Sequence, residues 1–187
     1  MDVVELHRRA VDYFTTQVDA VPDDKWDAPS TCAEWTVRDL VNHVTAEDLW
    51  MPPLLAGRTI ADVGAAYDGD VLGADPKRSY AEAAADALAA ARVPGAMQAT
   101  THLSFGDFPG SEYAMQLFAD HLIHGWDLAR SSGADDTLDP ELVSACADWF
   151  AEREEPYRQG GVIGPRPAEG STGDAQTDLL AAFGRRR

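Results

Sequence analysis

Apolar residues recur at three- and four-residue intervals over residues 3–20, where Leu6, Ala10, Tyr13, Phe14 and Val18 mark one helical face. Asp2 stands where an N-cap is needed, and Val21-Pro22-Asp23-Asp24 breaks the pattern. His7, beside Arg8 and Arg9 in the first turn, reads as a surface residue. A loop with Trp26, Cys32 and Trp35 follows, and two tryptophans in so short a loop predict a segment pinned onto the core. Thr36 as N-cap with Asp39 three residues on opens a second helix, carrying Leu40, Val41, Val44, Trp50 and Met51 and predicted to stop at Pro52-Pro53. Residues 54–75 show no clean period and read as a long connection marked by Gly57, Gly64, Gly69 and Gly73. Ser79-Tyr80-Ala81-Glu82 reads as a capping box for an alanine-rich helix ending near Arg92. Residues 100–105 alternate in the strand manner and predict a short extended excursion near 99–106. A long periodic segment then runs from about Glu112 to Ser132, with Gly133 in the place of a helix C′ residue. Asp139-Pro140-Glu141 starts a further helix predicted to end near Glu155. Residues 156–174 read as a Gly- and Pro-rich tail, and 177–183 as one short helix.

The pattern predicts an all-α fold in a single domain over 1–187, with a core of about 2–155 and a tail of 156–187. The 187 residues are 45% hydrophobic, which suits a globular core, and carry a formal net charge of −17. Such a charge repels nucleic-acid phosphates and anionic membranes, so neither is expected as a partner. No apolar run is long enough to span a bilayer, and Met1-Asp2-Val3-Val4-Glu5 is not a basic leader, so a cytoplasmic location is expected. The two cysteines, Cys32 and Cys146, are then expected as reduced thiols. Cys146 falls among apolar helix positions and reads as a buried, inert thiol.

Candidate chemistry concentrates in Asp120-His121-Leu122-Ile123-His124-Gly125-Trp126-Asp127. Residues four apart share a helix face, so Asp120 and His124 point together, with Asp127 in the same sector and His121 about a quarter-turn away. A carboxylate and an imidazole aimed into a bundle suit a divalent cation, which needs converging N and O donors. The same spacing also fits a polar stripe facing water. His43 lies among core-facing positions of the second helix, with Glu47 one turn on. Alone it reads more readily as a hydrogen-bonded core histidine than as a ligand. His102 reads as solvated or bonded to the core.

The two stretches Glu34-Trp35-Thr36-Val37-Arg38-Asp39-Leu40-Val41-Asn42-His43-Val44 and Asp120-His121-Leu122-Ile123-His124-Gly125-Trp126-Asp127-Leu128-Ala129 together resemble the DinB-like superfamily. Within it the chain resembles the actinobacterial branch of the metal-binding, N-terminal domain of mycothiol-dependent maleylpyruvate isomerase. The resemblance implies an up-down four-helix bundle with a long connection between its second and third helices, here with an extra C-terminal helix and tail. It implies a divalent metal, zinc first and nickel as an alternative, held by His43, Asp120 and His124. The isomerase branch carries Glu where this chain has Asp120, one methylene shorter, and the carboxylate donor is kept. Glu47 and Asp127 are then the candidates for orienting His43 and His124. The implied activity is that of a thiol S-transferase or isomerase, with a low-molecular-weight thiol and a small electrophile as partners. A non-catalytic metal sensor or ligand-binding scaffold is the alternative, and a homodimer is expected from the resemblance only.

Overall fold

The structure is a computed structural model describing residues 1–168 and 172–187. Part of the Gly- and Pro-rich stretch read as tail, residues 169–171, lies outside the described residues. The chain forms two compact units, Met1–Asp136 and Thr137–Arg187.

In the first unit, α1 spans Val3–Ala20, and its N-cap Asp2 accepts a hydrogen bond from the Glu5 amide at 2.9 Å. A 3₁₀ turn at Asp23–Lys25 leads into the tryptophan loop. Helix α2 spans Val37–Leu55 behind a complete capping box: Asp39 N–H donates to Thr36 Oγ1, and Thr36 N–H donates to Asp39 Oδ2. The predicted stop at Pro52-Pro53 is corrected, because both prolines lie inside the helix. A proline inside a helix costs about 3 kcal/mol. The turn is retained because Met51, Leu54 and Leu55 are all buried, each contributing about 1.5–3 kcal/mol.

The connection 56–75 holds a one-turn helix, α3 (Ile60–Val63), with its own Thr59/Asp62 capping box. The connection is tied down to α2. Asn42 donates to Gly69 O and accepts from the Val71 amide, and Arg38 pairs with Asp70 at 2.9 Å. Helix α4 spans Pro76–Ala91, one turn earlier than expected: Asp75 is the cap, with Pro76 at the first position. Ser79, read as the cap, instead donates its hydroxyl to Leu72 O. Strands β1 (Thr100–Leu103) and β2 (Gly106–Pro109) form the expected excursion as an antiparallel hairpin. Helix α5 runs Gly110–Ser132 and closes on Gly133 at φ 77°, a left-handed cap that favours glycine.

Helices α1, α2, α4 and α5 form the four-helix bundle, α1 packing chiefly on α5 and α2 on α4. Phe14, Val18, Val37, Leu40, Val41, Val44 and Leu128 are the centre of one core cluster, against which Trp26 and Trp35 pack as the loop pattern predicts. At Gly125 a Cβ would come 2.6 Å from the Tyr13 ring, so glycine sets the close approach of α1 to α5 beside His124. His7 is corrected from surface to core: it is 0% exposed, with its ring 5.4 Å from that of His121. The architecture is that of an all-α, DinB-like fold.

The second unit holds α6 (Pro140–Phe150), α7 (Glu154–Gln159) and α8 (Ala175–Ala182). Asp139 caps α6 as read, but the helix ends at Phe150 rather than near Glu155. Phe150 stacks on Phe183 at 3.8 Å, and Cys146 is fully buried.

Candidate metal centre

His43 comes from the middle of α2, and Asp120 and His124 come from one face of α5 a turn apart. The structure brings the three together: one donor atom from each lies within 4.8 Å of the others. His43 Nε2 is 3.4 Å from Asp120 Oδ2, and His124 Nε2 is 3.4 Å from Asp120 Oδ1. A direct imidazole–carboxylate hydrogen bond is about 2.7–2.9 Å. The surface pair His102–Asp107 makes such a bond at 2.7 Å. Two ligands at zinc-type bond lengths on a tetrahedral ion stand about 3.3 Å apart. Both 3.4 Å spacings are longer than that bond and near the second figure, each to a different oxygen of Asp120.

Asp127 is fully buried and fixes His124. Its Oδ2 is 3.0 Å from His124 Nδ1, and a carboxylate can only accept, so Nδ1 carries the proton. The lone pair of Nε2 then faces Asp120 Oδ1, which is also an acceptor. Two acceptors facing one another need a cation between them, a second proton on the ring or a metal ion. Asp120 Oδ2 is buried with no hydrogen-bond partner among the described residues. The donor set of two imidazoles and one carboxylate therefore fits a divalent ion of the zinc kind.

The loop between α1 and α2 completes the surroundings, and no periodicity in the sequence points to this. Thr31 Oγ1 donates to Asp127 Oδ1 at 2.9 Å, and Cys32 Sγ donates to Asp127 Oδ2 at 3.3 Å. Cys32 Sγ also lies 3.8 Å from His124 Nδ1. Trp35 stacks near-parallel on His124, centroids 6.0 Å apart, and lies 5.1 Å from the ring of His43. The loop makes this excursion with Glu34 in the left-handed region at φ 66°, strained for a non-glycine residue. Trp126, by contrast, is a core residue, and Trp50 packs on Tyr67.

Electrostatics couple the three residues. Burial depresses the His43 pKa, but the Asp120 carboxylate outweighs it and lifts His43 to about 9. Burial would raise Asp120, but His124 and His43 hold it well below the usual carboxylate range. Burial, with the Asp120 charge beside it, pushes Glu47 up to about 7, and Glu47 acts on His43 through its charge. In the metal-free protein the raised His43 pKa adds stability that is complete below about 6.5 and lost as pH rises through about 9. A metal ion held on His43 would displace that proton. Apparent zinc affinity is therefore expected to rise about tenfold per pH unit between pH 7 and 9 and then level off. A chelator-competition titration across this range checks it; a flat profile contradicts it.

A family model described as the mycothiol maleylpyruvate isomerase N-terminal domain matches residues 7–129. An uncharacterised protein of Mycobacterium tuberculosis, found in two strains, is 35% identical over 146 residues, covering 76% of this chain and 74% of its own. Among solved structures, two crystal structures of mycothiol-dependent maleylpyruvate isomerase, one of them a mutant, share the fold at TM-scores of 0.65 and 0.62. Sequence identity to both is 18%, over 88% of this chain and 72% of theirs. No helix among the described residues is long and apolar enough to cross a membrane. The chain belongs to the mycothiol maleylpyruvate isomerase N-terminal domain family.

Proposed function

We propose that this protein is a thiol-dependent enzyme, an isomerase or S-transferase, that holds a divalent cation on His43, Asp120 and His124. One observation carries the reading: two histidines and an aspartate from two helices converge at ligand spacing, with His124 held in the ligating tautomer. Bound there, a zinc-type ion supplies the positive charge that lowers the pKa of a thiol brought to it. The names of the relatives indicate mycothiol as that thiol and maleylpyruvate as the first electrophile to test.

The chain's own residues do the rest. Asp127 orients His124, and Thr31 and Cys32 orient Asp127. Trp35 stacks against one face of His124. Three protein donors leave room in a tetrahedral set for an exogenous ligand, as catalytic zinc sites do.

Removing the orienting carboxylate tests the arrangement without touching a ligand. Asp127→Asn is expected to weaken zinc binding by about 10–100-fold; unchanged affinity in a chelator competition contradicts the role. The activity is tested with zinc-loaded protein, mycothiol and maleylpyruvate or a chloronitrobenzene electrophile. Turnover that needs both thiol and metal, and is lost in His43→Ala, is expected. Zinc-loaded protein with no thiol-dependent turnover of either electrophile from pH 6 to 9 would favour the scaffold reading.

A further inference from the structure

We propose that His7, Asp48 and His121 form a second cation site, closed to solvent, in which a zinc-type divalent ion ties α1, α2 and α5 together. All three side chains are 0% exposed, and each comes from a different helix of the bundle. One donor atom from each lies within 4.8 Å of the others. His121 Nδ1 is 2.8 Å from Leu117 O, a carbonyl that can only accept, so Nδ1 carries a proton. Its Nε2 is thereby directed at Asp48 Oδ2, 3.2 Å away. Such a backbone contact behind the ring is what fixes a metal-ligating histidine.

A proton in that 3.2 Å gap would satisfy His121 and Asp48 Oδ2 but neither His7 nor Asp48 Oδ1. Both ring nitrogens of His7, and Asp48 Oδ1, are buried without a hydrogen-bond partner among the described residues. Unpaired in a bundle core, such atoms carry a large desolvation penalty, and a shared cation removes it for Asp48 Oδ1 and for the one His7 nitrogen that faces the cluster. Burial, with His121 alongside, holds the His7 pKa down at about 3, so its lone pair is available for a metal. Two imidazoles and one carboxylate are again zinc-type donors, and with both oxygens of Asp48 ligating they make the four that a closed site needs.

Asp120 and His121 are consecutive, so the experiment must separate this site from the outer one. The full chain is expressed in zinc-supplemented medium, and bound zinc is counted by native mass spectrometry before and after dialysis against EDTA. A closed site exchanges slowly. Wild-type protein is therefore expected to carry two ions before EDTA and one after, and His7→Phe one before and none after. The double variant His43→Ala/His124→Ala is expected to carry one ion both before and after. An EDTA-treated wild type without zinc, or a His7→Phe protein that holds as many ions as wild type, overturns the proposal. Should His7→Phe show the broad charge states of an unfolded chain, Asp48→Asn and the wild-type count decide. One ion in wild type that survives the double variant supports the buried site and removes the outer one; one ion lost with the double variant does the reverse.

Discussion

His124→Ala is expected to weaken zinc binding at the candidate centre by about a hundred-fold or more. Zinc in a four-ligand protein site is bound by about 10–16 kcal/mol, or roughly 3 kcal/mol per ligand. Each 1.4 kcal/mol is about a factor of ten. The substitution also releases Asp127 Oδ2 from its 3.0 Å contact, but Thr31 and Cys32 still donate to that carboxylate. The fold is therefore retained, and the loss appears in binding rather than in expression. Competition with a chromophoric chelator reads the constant directly. An affinity within threefold of wild type would remove His124 from the ligand set.

Phe14→Ala is expected to cost about 3–5 kcal/mol of folding stability, the usual range for emptying a buried aromatic site. Phe14 is 0% exposed, with ring centroids 5.1 Å from Tyr80 and 5.7 Å from His121, so the cavity opens where α1 meets both α4 and α5. Total stability for a domain of this kind is about 5–15 kcal/mol, so the variant loses a large part of it. A lowered urea midpoint at unchanged slope is the expected signature. Phe105→Ala is the control: Phe105 is 61% exposed, and a change within about 0.5 kcal/mol is expected. A Phe14→Ala cost as small as the control's would contradict the packing described.

The helices were legible because their signals are local. Asp2, Thr36 and Asp139 cap helices where the sequence places them, and Gly133 ends α5. Where tertiary burial outweighed a local rule, the sequence reading failed. Pro52 and Pro53 break helices in isolation, yet here they lie beside buried Met51, Leu54 and Leu55. His7 looked exposed because Arg8 and Arg9 flank it. Its spacing with Val11, Phe14 and Val18 nevertheless places it on the buried stripe. Helical spacing alone aligned Asp120, His124 and Asp127, while the addition of His43 came from the family pattern. The places of Thr31 and Cys32 beside Asp127 had no local signal, since a loop's path across a bundle leaves no period in the sequence. Asp48 was hidden for a related reason: only the packing of α2 on α5 sets it against His121.

Anomalous diffraction from crystals of the zinc-loaded protein, recorded on both sides of the zinc absorption edge, tests the cation directly. A peak at about 2.0–2.2 Å from His43 Nε2, Asp120 and His124 Nε2 is the expected result. Full-occupancy zinc elsewhere in the crystal, with no anomalous density among these three side chains, would contradict the account.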